Sequence, residues 1–330
     1  MRWTFWVLVG LFFVAALYWT FEPIIRGTGS ETTLGPSPAQ TPAGTPGPND
    51  PVLVGAGDIA SCASEGDEKT ALLLDQVVAA GIQMTTVFTA GDNAYEGGTL
   101  QEYEQCYGPS WGRHKDRTRP AVGNHEYKTP AAAGHFQYFG AAAGDPSKGY
   151  YSFDLGGWHI VVLNTNDHCN TLSCDAGSDQ ETWLRSDLAA SGAYCTLAIW
   201  QDPRFSSSAR AGGSRKVKPF WDALYDHGAE LVINGDEHNY ERFAPQTSSG
   251  IPDPEFGMRQ FVVGTGGRSL DIIEEPHQPN SEITSDDTLG VLKLTLHPSS
   301  YDWEFLPVAG FKFHDSGSAV CHAAPPPLNQ

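Results

Sequence analysis

After residue 51 the chain is a succession of short apolar runs, most of them closed by a turn rich in Gly, Asp, Asn or His. Runs of this length, bounded by turn residues, read as buried strands. Val52 to Ala56 leads into Gly57-Asp58, Thr85 to Ala90 into Gly91-Asp92, and Arg119 to Val122 into Gly123-Asn124-His125-Glu126. Cys195 to Trp200 leads into Gln201-Asp202-Pro203, Glu230 to Asn234 into Gly235-Asp236-Glu237-His238, and Phe261 to Val263 into Gly264-Thr265-Gly266-Gly267. Helical periodicity lies between them. Asp67 to Ala80 sets Leu72, Leu73, Val77 and Val78 on one face, and Val217 to Tyr225 is a further helix. Ser178 to Ala190 opens on a serine with Glu181 three residues later, a capping-box arrangement. Tyr150 to Asn164, Gly290 to Leu296 and Tyr301 to Pro307 alternate as antiparallel strands do. The expectation is an α/β sandwich in one domain, with mixed sheets covered by helices and no internal repeat.

The first 51 residues break this pattern. Trp3 to Phe21 holds no charged residue and has aromatics near both ends, which suits a bilayer span. A cleaved signal peptide is the competing reading, with Val14 and Ala16 before a possible cut. Because the apolar run continues through Leu17 and Phe21, residues 1–26 are expected to form an uncleaved membrane anchor. Arg2 before the span, with Glu22 and Arg26 cancelling after it, orients the rest of the chain extracytoplasmically. Residues 27–51 interleave Pro36, Pro38, Pro42, Pro46, Pro48 and Pro51 with Gly, Ser and Thr, the composition of a tether. The globular domain then spans 52–322, and 323–330, with three consecutive prolines, is a frayed tail.

Charge narrows the function. Asp and Glu number 39 against 20 Lys and Arg, a net charge of −19. Nucleic-acid backbones and anionic lipid need clustered basic residues, so both are disfavoured as partners. Phosphate remains a possible ligand if metal cations supply the positive charge. The six cysteines, Cys62, Cys106, Cys169, Cys174, Cys195 and Cys321, contain no close Cys-x-x-Cys pair, which argues against a zinc cluster. An even count behind an export segment points to disulfides. Of fifteen possible pairings we expect Cys62 with Cys106, Cys169 with Cys174 and Cys195 with Cys321, although the sequence supports only the short second loop.

Five of the strand ends carry Asp58, Asp92, Asn124, Gln201 and Asp236, with His238 just after the last. A turn explains each of these singly, but not their shared position beyond a strand's carboxyl end, where open α/β sheets gather their sites. Divalent-metal binding is the sharper account.

Taken in order, Gly57-Asp58, Gly91-Asp92-Asn93-Ala94-Tyr95, Gly123-Asn124-His125-Glu126 and Gly235-x-x-His238 resemble the motifs of the calcineurin-like metallophosphoesterases. Tyr95, three residues after Asp92, brings the likeness nearest to the purple acid phosphatase branch, over roughly residues 52–322 and without the plant-type N-terminal β domain. The resemblance implies an αββα sandwich of two mixed sheets. It also implies a two-metal centre that hydrolyses phosphate monoesters, or diesters, of small molecules with a metal-bound hydroxide. Asp58, Asp92, Tyr95 and His238 match the first metal position, with Asp92 bridging, and Asn124 matches the second. His125 matches the residue beside the leaving group.

Two departures follow. Gln201 and Asp236 stand where the family has histidines, and the further His expected soon after Gln201 is missing from Phe205 to Ser214. The second position would exchange two imidazoles for an amide oxygen and a carboxylate. Fe, Mn, Zn or Mg would suit the pair of metals, with Mn or Mg, or no ion, at the second position. The alternative to an enzyme is a catalytically impaired binding module of the same fold at the cell surface. Arg204 either holds substrate phosphate, on the affinity of guanidinium for that geometry, or makes a surface ion pair. The Gly264–Gly267 cluster is either a phosphate-approaching turn or a plain one. Glu241 and Arg242 are expected to pair with each other, and His135, His159 and His227 to be structural.

Overall fold

Strands buried on both faces account for the unbroken apolar runs. In the computed structural model, which describes residues 47, 50–80, 85–210, 212–322 and 324, two mixed sheets pack against each other and carry helices on their outer faces. The first sheet contains β1 (Val52–Ala56), β3 (Thr85–Ala90), β5 (Thr118–Ala121), β13 (Gly290–His297), β14 (Ser300–Pro307) and β15 (Ser316–Val320) in the order β15-β14-β13-β1-β3-β5. The second contains β6 (Tyr151–Leu155), β7 (Trp158–Val162), β8 (Cys195–Ile199), β9 (Leu231–Asn234), β10 (Tyr240–Phe243), β11 (Arg259–Val263) and β12 (Ser281–Ser285) in the order β12-β10-β11-β9-β8-β7-β6. A small parallel pair, β2 (Ala60–Ser61) with β4 (Ala94–Tyr95), ties the first two motif loops together.

Alternation along the second sheet divides the core in two. Ile160, Val162, Leu197, Ile199, Leu231 and Ile233 face the first sheet in the larger cluster. Their neighbours Val161, Ala198, Trp200 and Val232 face helices α4 (Asp179–Ala190) and α5 (Lys218–Asp226) in the smaller one. Because β1, β3 and β5 are parallel, as are β7, β8, β9 and β11, their carboxyl ends lie together at one end of each sheet. Backbone bonds stitch the two sheets there: Gly57 N–H donates to Val263 O at 2.8 Å.

The expected strands and helices are present within a residue or two, and all three expected disulfides form. Three expectations need correction. Helix α1 (Gly66–Ala79) buries Thr70, Ala71, Leu74 and Val77 and leaves Leu72 57% exposed, so its inner face is rotated from the one expected. The Ser178 side chain caps Glu181 N–H, but the Glu181 carboxylate takes Gly177 N–H and not that of Ser178, so the capping box is half formed. The complete box stands at α2 (Leu100–Glu102), capped by Thr99. Glu241 and Arg242 do not pair, since neighbouring strand residues point to opposite faces. Glu241 accepts from Ser207 and Ser281, whereas Arg242 binds Asp315 and Glu282.

No helix among the described residues is long and apolar enough to cross a membrane. The anchor expected at 1–26 lies outside the described residues, as do most of the tether and nearly all of the tail.

Candidate metal centre

Asp58, Asp92 and Asp236 each stand two residues past a strand end with φ of 60°, 47° and 68°. A left-handed residue with a side chain costs about 1–2 kcal/mol. Here it turns three carboxylates back over the ends of the sheets. The turns are braced by one another: Asp58 N–H donates to Gly91 O at 3.1 Å, and Asp236 N–H to Asp58 Oδ2 at 2.8 Å. Gly91, at φ 92°, admits no side chain, because a Cβ there would fall 1.9 Å from Gln201 Oε1.

The hub is Tyr95. Its hydroxyl lies 2.7 Å from Asp58 Oδ1, 3.0 Å from Asp92 Oδ2 and 3.3 Å from His238 Nε2. His238 Nε2 is also 3.3 Å from Asp58 Oδ1, while its Nδ1 is held by Ser269 Oγ at 2.7 Å. Four residues separated by up to 180 positions in sequence thus converge, with the imidazole oriented by an outer partner as metal-ligating histidines are.

The electrostatics are those of a site short of positive charge. Burial pushes Asp92 well above the usual carboxylate range, and the neighbouring Glu126 and Asp58 carboxylates push it further. Asp236 is raised to about 7, by burial first and then by Asp202 and Asp58. Burial also raises Asp58, but His238 and Tyr95 more than offset it and bring its pKa down. Correspondingly, burial opposes charge on His238 and Asp58 reverses the effect. Asn124 Oδ1, Gln201 Oε1, Asp202 Oδ2 and Asp236 Oδ1 are all buried acceptors with no hydrogen-bond partner. Buried acceptors are rarely left so. Together with the clustered carboxylates they fit a divalent-cation centre.

His125 sits over this cluster. Its backbone N–H donates to Asp92 Oδ1 at 2.9 Å, and its ring lies 4.3 Å from that of Tyr95. Nδ1 is 2.8 Å from Glu96 O, and Lys128 Nζ is 3.2 Å from Nε2. Burial lowers its pKa and Lys128 adds to the effect. Gln201 lies fully buried beside Asp58, its Nε2 at 3.4 Å from Oδ1.

Arg204 is not brought to the site by any of its contacts. Its Nε donates to Ser248 O at 3.2 Å and its guanidinium covers the Phe205 ring. Arg210 instead borders the cluster, its Nη1 donating to Asp236 O at 2.7 Å and lying 3.5 Å from Asp271. The surrounding carboxylates of Asp236 and Asp58 override its burial and hold it charged. Nothing in the sequence distinguished Arg210 from Arg204. Two of the amides in Gly264–Gly267 are already engaged: Gly264 N–H and Gly266 N–H donate to Asn239 O and Gly57 O. The cluster instead allows close packing, since a Cβ on Gly66 would fall 2.0 Å from Gly267 O.

Comparison with known proteins places the fold. The calcineurin-like phosphoesterase family model matches residues 52–240, stopping short of β11 to β15. Purple acid phosphatase 15 of Arabidopsis thaliana is 30% identical over 154 residues, which are 44% of this chain and 28% of that protein. Purple acid phosphatase 18 of the same plant is 27% identical over 145 residues, 42% of this chain and 32% of the relative. The chain therefore matches only about a third of the length of these relatives. A purple acid phosphatase from yellow lupin seeds superposes with a TM-score of 0.70 at 18% identity, covering 85% of this chain and 57% of that one. A Plasmodium protein described as the anchor in the inner membrane complex superposes at 0.63 with 13% identity, covering 83% and 89%.

Proposed function

The chain belongs to the calcineurin-like phosphoesterase family, and on that premise we propose that it is a metal-dependent phosphoester hydrolase acting on small phosphate monoesters, with an altered second metal position. The observation that carries this is the convergence of Asp58, Asp92 and His238 on the Tyr95 hydroxyl within 3.3 Å. Asp58, Asp92, Tyr95 and His238 would hold one ion, and Asp92, Asn124, Gln201 and Asp236 the other. Bound divalent cations supply Lewis acidity, an acidified water and a clamp on the attacking and leaving oxygens.

The chain's own residues do the rest. Arg210, at the edge of the acidic cluster, offers a guanidinium to the incoming phosphate. His125 and Lys128 together face the same cluster: His125 is neutral near pH 7, so the ammonium of Lys128 supplies charge there, and a protonated His125 becomes available to a leaving oxygen only in acid. Glu126 locks the loops that carry Asp92 and Asn124. The three disulfides support an oxidising, extracytoplasmic setting, in keeping with a membrane anchor at 1–26.

The loss of imidazoles at 201 and 236 favours one rival, a binding module with a single ion or none. Turnover of an aryl phosphate by the full chain separates them. Activity that needs added Mn²⁺ or Mg²⁺ and disappears in Asp92→Asn supports the hydrolase. Folded protein with no turnover in any divalent metal refutes it.

A further inference from the structure

Beside the four-residue hub lies a second cluster that the motif order does not contain. His168, Asp202 and Asp236 each offer one donor atom, and the three atoms lie within 4.8 Å of one another. We propose that these three side chains form a divalent-cation site at the second metal position, in which His168 and Asp202 supplement Asp236 and make up for the imidazoles lost at 201 and 236. The inference rests on the dinuclear reading above and deepens it.

Two observations point to a ligand. The first is the mixed donor set itself, one nitrogen and two carboxylate oxygens, which suits Mn²⁺ or Zn²⁺. The second is that both carboxylates are buried, Asp202 at 2% and Asp236 at 5% exposure, yet Asp202 Oδ2 and Asp236 Oδ1 have no hydrogen-bond partner. Two buried carboxylates with idle oxygens at such separation repel and lack solvation. His168 meets only part of that need, through Nδ1 at 2.5 Å from Asp202 Oδ1.

The backbone around the cluster is braced, while the His168 side chain stays 44% exposed. Asp202 follows β8, with its carbonyl accepting from Trp200 Nε1 at 2.6 Å and its N–H meeting Thr165 Oγ1 at 3.3 Å. Asp236 is fixed by its N–H on Asp58. His168 precedes the Cys169–Cys174 disulfide, and Lys216 Nζ grips its carbonyl at 3.0 Å and Asn170 Oδ1 at 2.8 Å. A loop stapled in this way presents the imidazole at a fixed position. Such pre-organisation is what a ligand needs and a solvated surface histidine does not.

The competing account is an imidazolium of His168 paired to Asp202, standing in for a cation and excluding one. Titration of the metal-stripped full chain with Mn²⁺ in a calorimeter separates the two. Two equivalents are expected in the wild type. His168→Gln and Asp202→Asn should leave the first and weaken the second at least ~10-fold, with unchanged metal-free melting showing that the fold is intact. If the second equivalent binds within twofold of wild type in both variants, or only one equivalent binds and neither variant alters it, the proposal is overturned while the dinuclear or single-metal reading stands. If folded wild type binds no Mn²⁺ at all, the underlying reading falls with it. Should the variants unfold, an anomalous difference map of Mn²⁺-soaked wild-type crystals decides: a peak bounded by all three side chains supports the site, and its absence there overturns it.

Discussion

Glu126 offers the sharpest test of how the metal-binding loops are held. It is fully buried, and its Oε1 accepts from Asn93 N–H at 2.9 Å, Ala94 N–H at 3.2 Å and the Tyr103 hydroxyl at 3.1 Å. Its Oε2 accepts from Gly123 N–H at 2.8 Å. One carboxylate therefore joins the loop bearing Asp92 to the loop bearing Asn124. Glu126→Ala strands these donors, each at a cost of about 1–3 kcal/mol. The space vacated could admit a water that re-satisfies some of them. A net loss of about 3–5 kcal/mol follows, a large share of the ~5–15 kcal/mol that holds a domain folded. Glu126→Gln keeps an oxygen for three donors and fails only at Gly123, where N–H meets N–H. It also removes a negative charge beside Asp92. Its cost should be about 1–3 kcal/mol. Urea unfolding of the metal-stripped protein, followed by far-UV circular dichroism, measures both. Glu126→Ala within 1 kcal/mol of wild type, or Gln more damaging than Ala, would refute the reasoning.

The disulfides span 126, 44 and 5 residues, so loop-closure entropy ranks their loss: Cys195/Cys321→Ala by about 5 kcal/mol, Cys62/Cys106→Ala by about 4 and Cys169/Cys174→Ala by about 2 in denaturant unfolding. An inverted order would contradict it. Arg210→Ala should raise KM for an aryl phosphate about tenfold, the loss of one charge-assisted contact, while Arg204→Ala stays within about twofold; the reverse would restore Arg204 to the site. Burial lifts Glu230 to about 8 from an ordinary 4.5. The folded state thus binds this proton more tightly than the unfolded one. The resulting stability is complete below the unfolded value and declines as pH rises from there through about 8. Glu230→Gln should flatten that decline, and equal slopes in denaturant midpoints at acid, neutral and basic pH would exclude it. Gly91→Ala, which adds a Cβ against Gln201 at positive φ, should cost about 2 kcal/mol or more on the same assay.

Most of the fold was legible because its central strands are buried on both faces and stand out as apolar runs. The weaker signals failed for a common physical reason, a dependence on partners far away in sequence. Strands β12 and β15 are edge strands, intermediate or exposed over most of their length, and carry little apolar pattern. The face of α1 was misjudged because Thr70 is buried against Gly266 O and Trp111, a polar residue satisfied from other elements. Glu241 and Arg242 looked like a pair only in one dimension. Across the sheet they serve opposite faces.

The candidate centre divides along the same line. Donors at strand ends could be read, since strand direction alone brings Asp58, Asp92, Asn124, Gln201 and Asp236 to one edge. His168 could not, because it leaves a loop after β7 and reaches Asp202 only through the packing of that loop. The proposed exchange would also change the charge of the site. Under the proposed function, an amide and a carboxylate stand where the family has two imidazoles, and the further site adds Asp202 with His168. A centre more anionic than the family pattern holds hard cations more firmly, but it repels a phosphate ester more strongly. Under the proposed function, a phosphate substrate would be drawn by cations at the rim. Arg210 beside Asp236, Lys128 beside His125 and Arg268 over the Tyr95 ring at 5.1 Å occupy that rim, in a protein whose net charge is −19. On that proposal, the positive charge available to a phosphate lies around the carboxylates rather than among them, although Arg268 is also paired with Glu96.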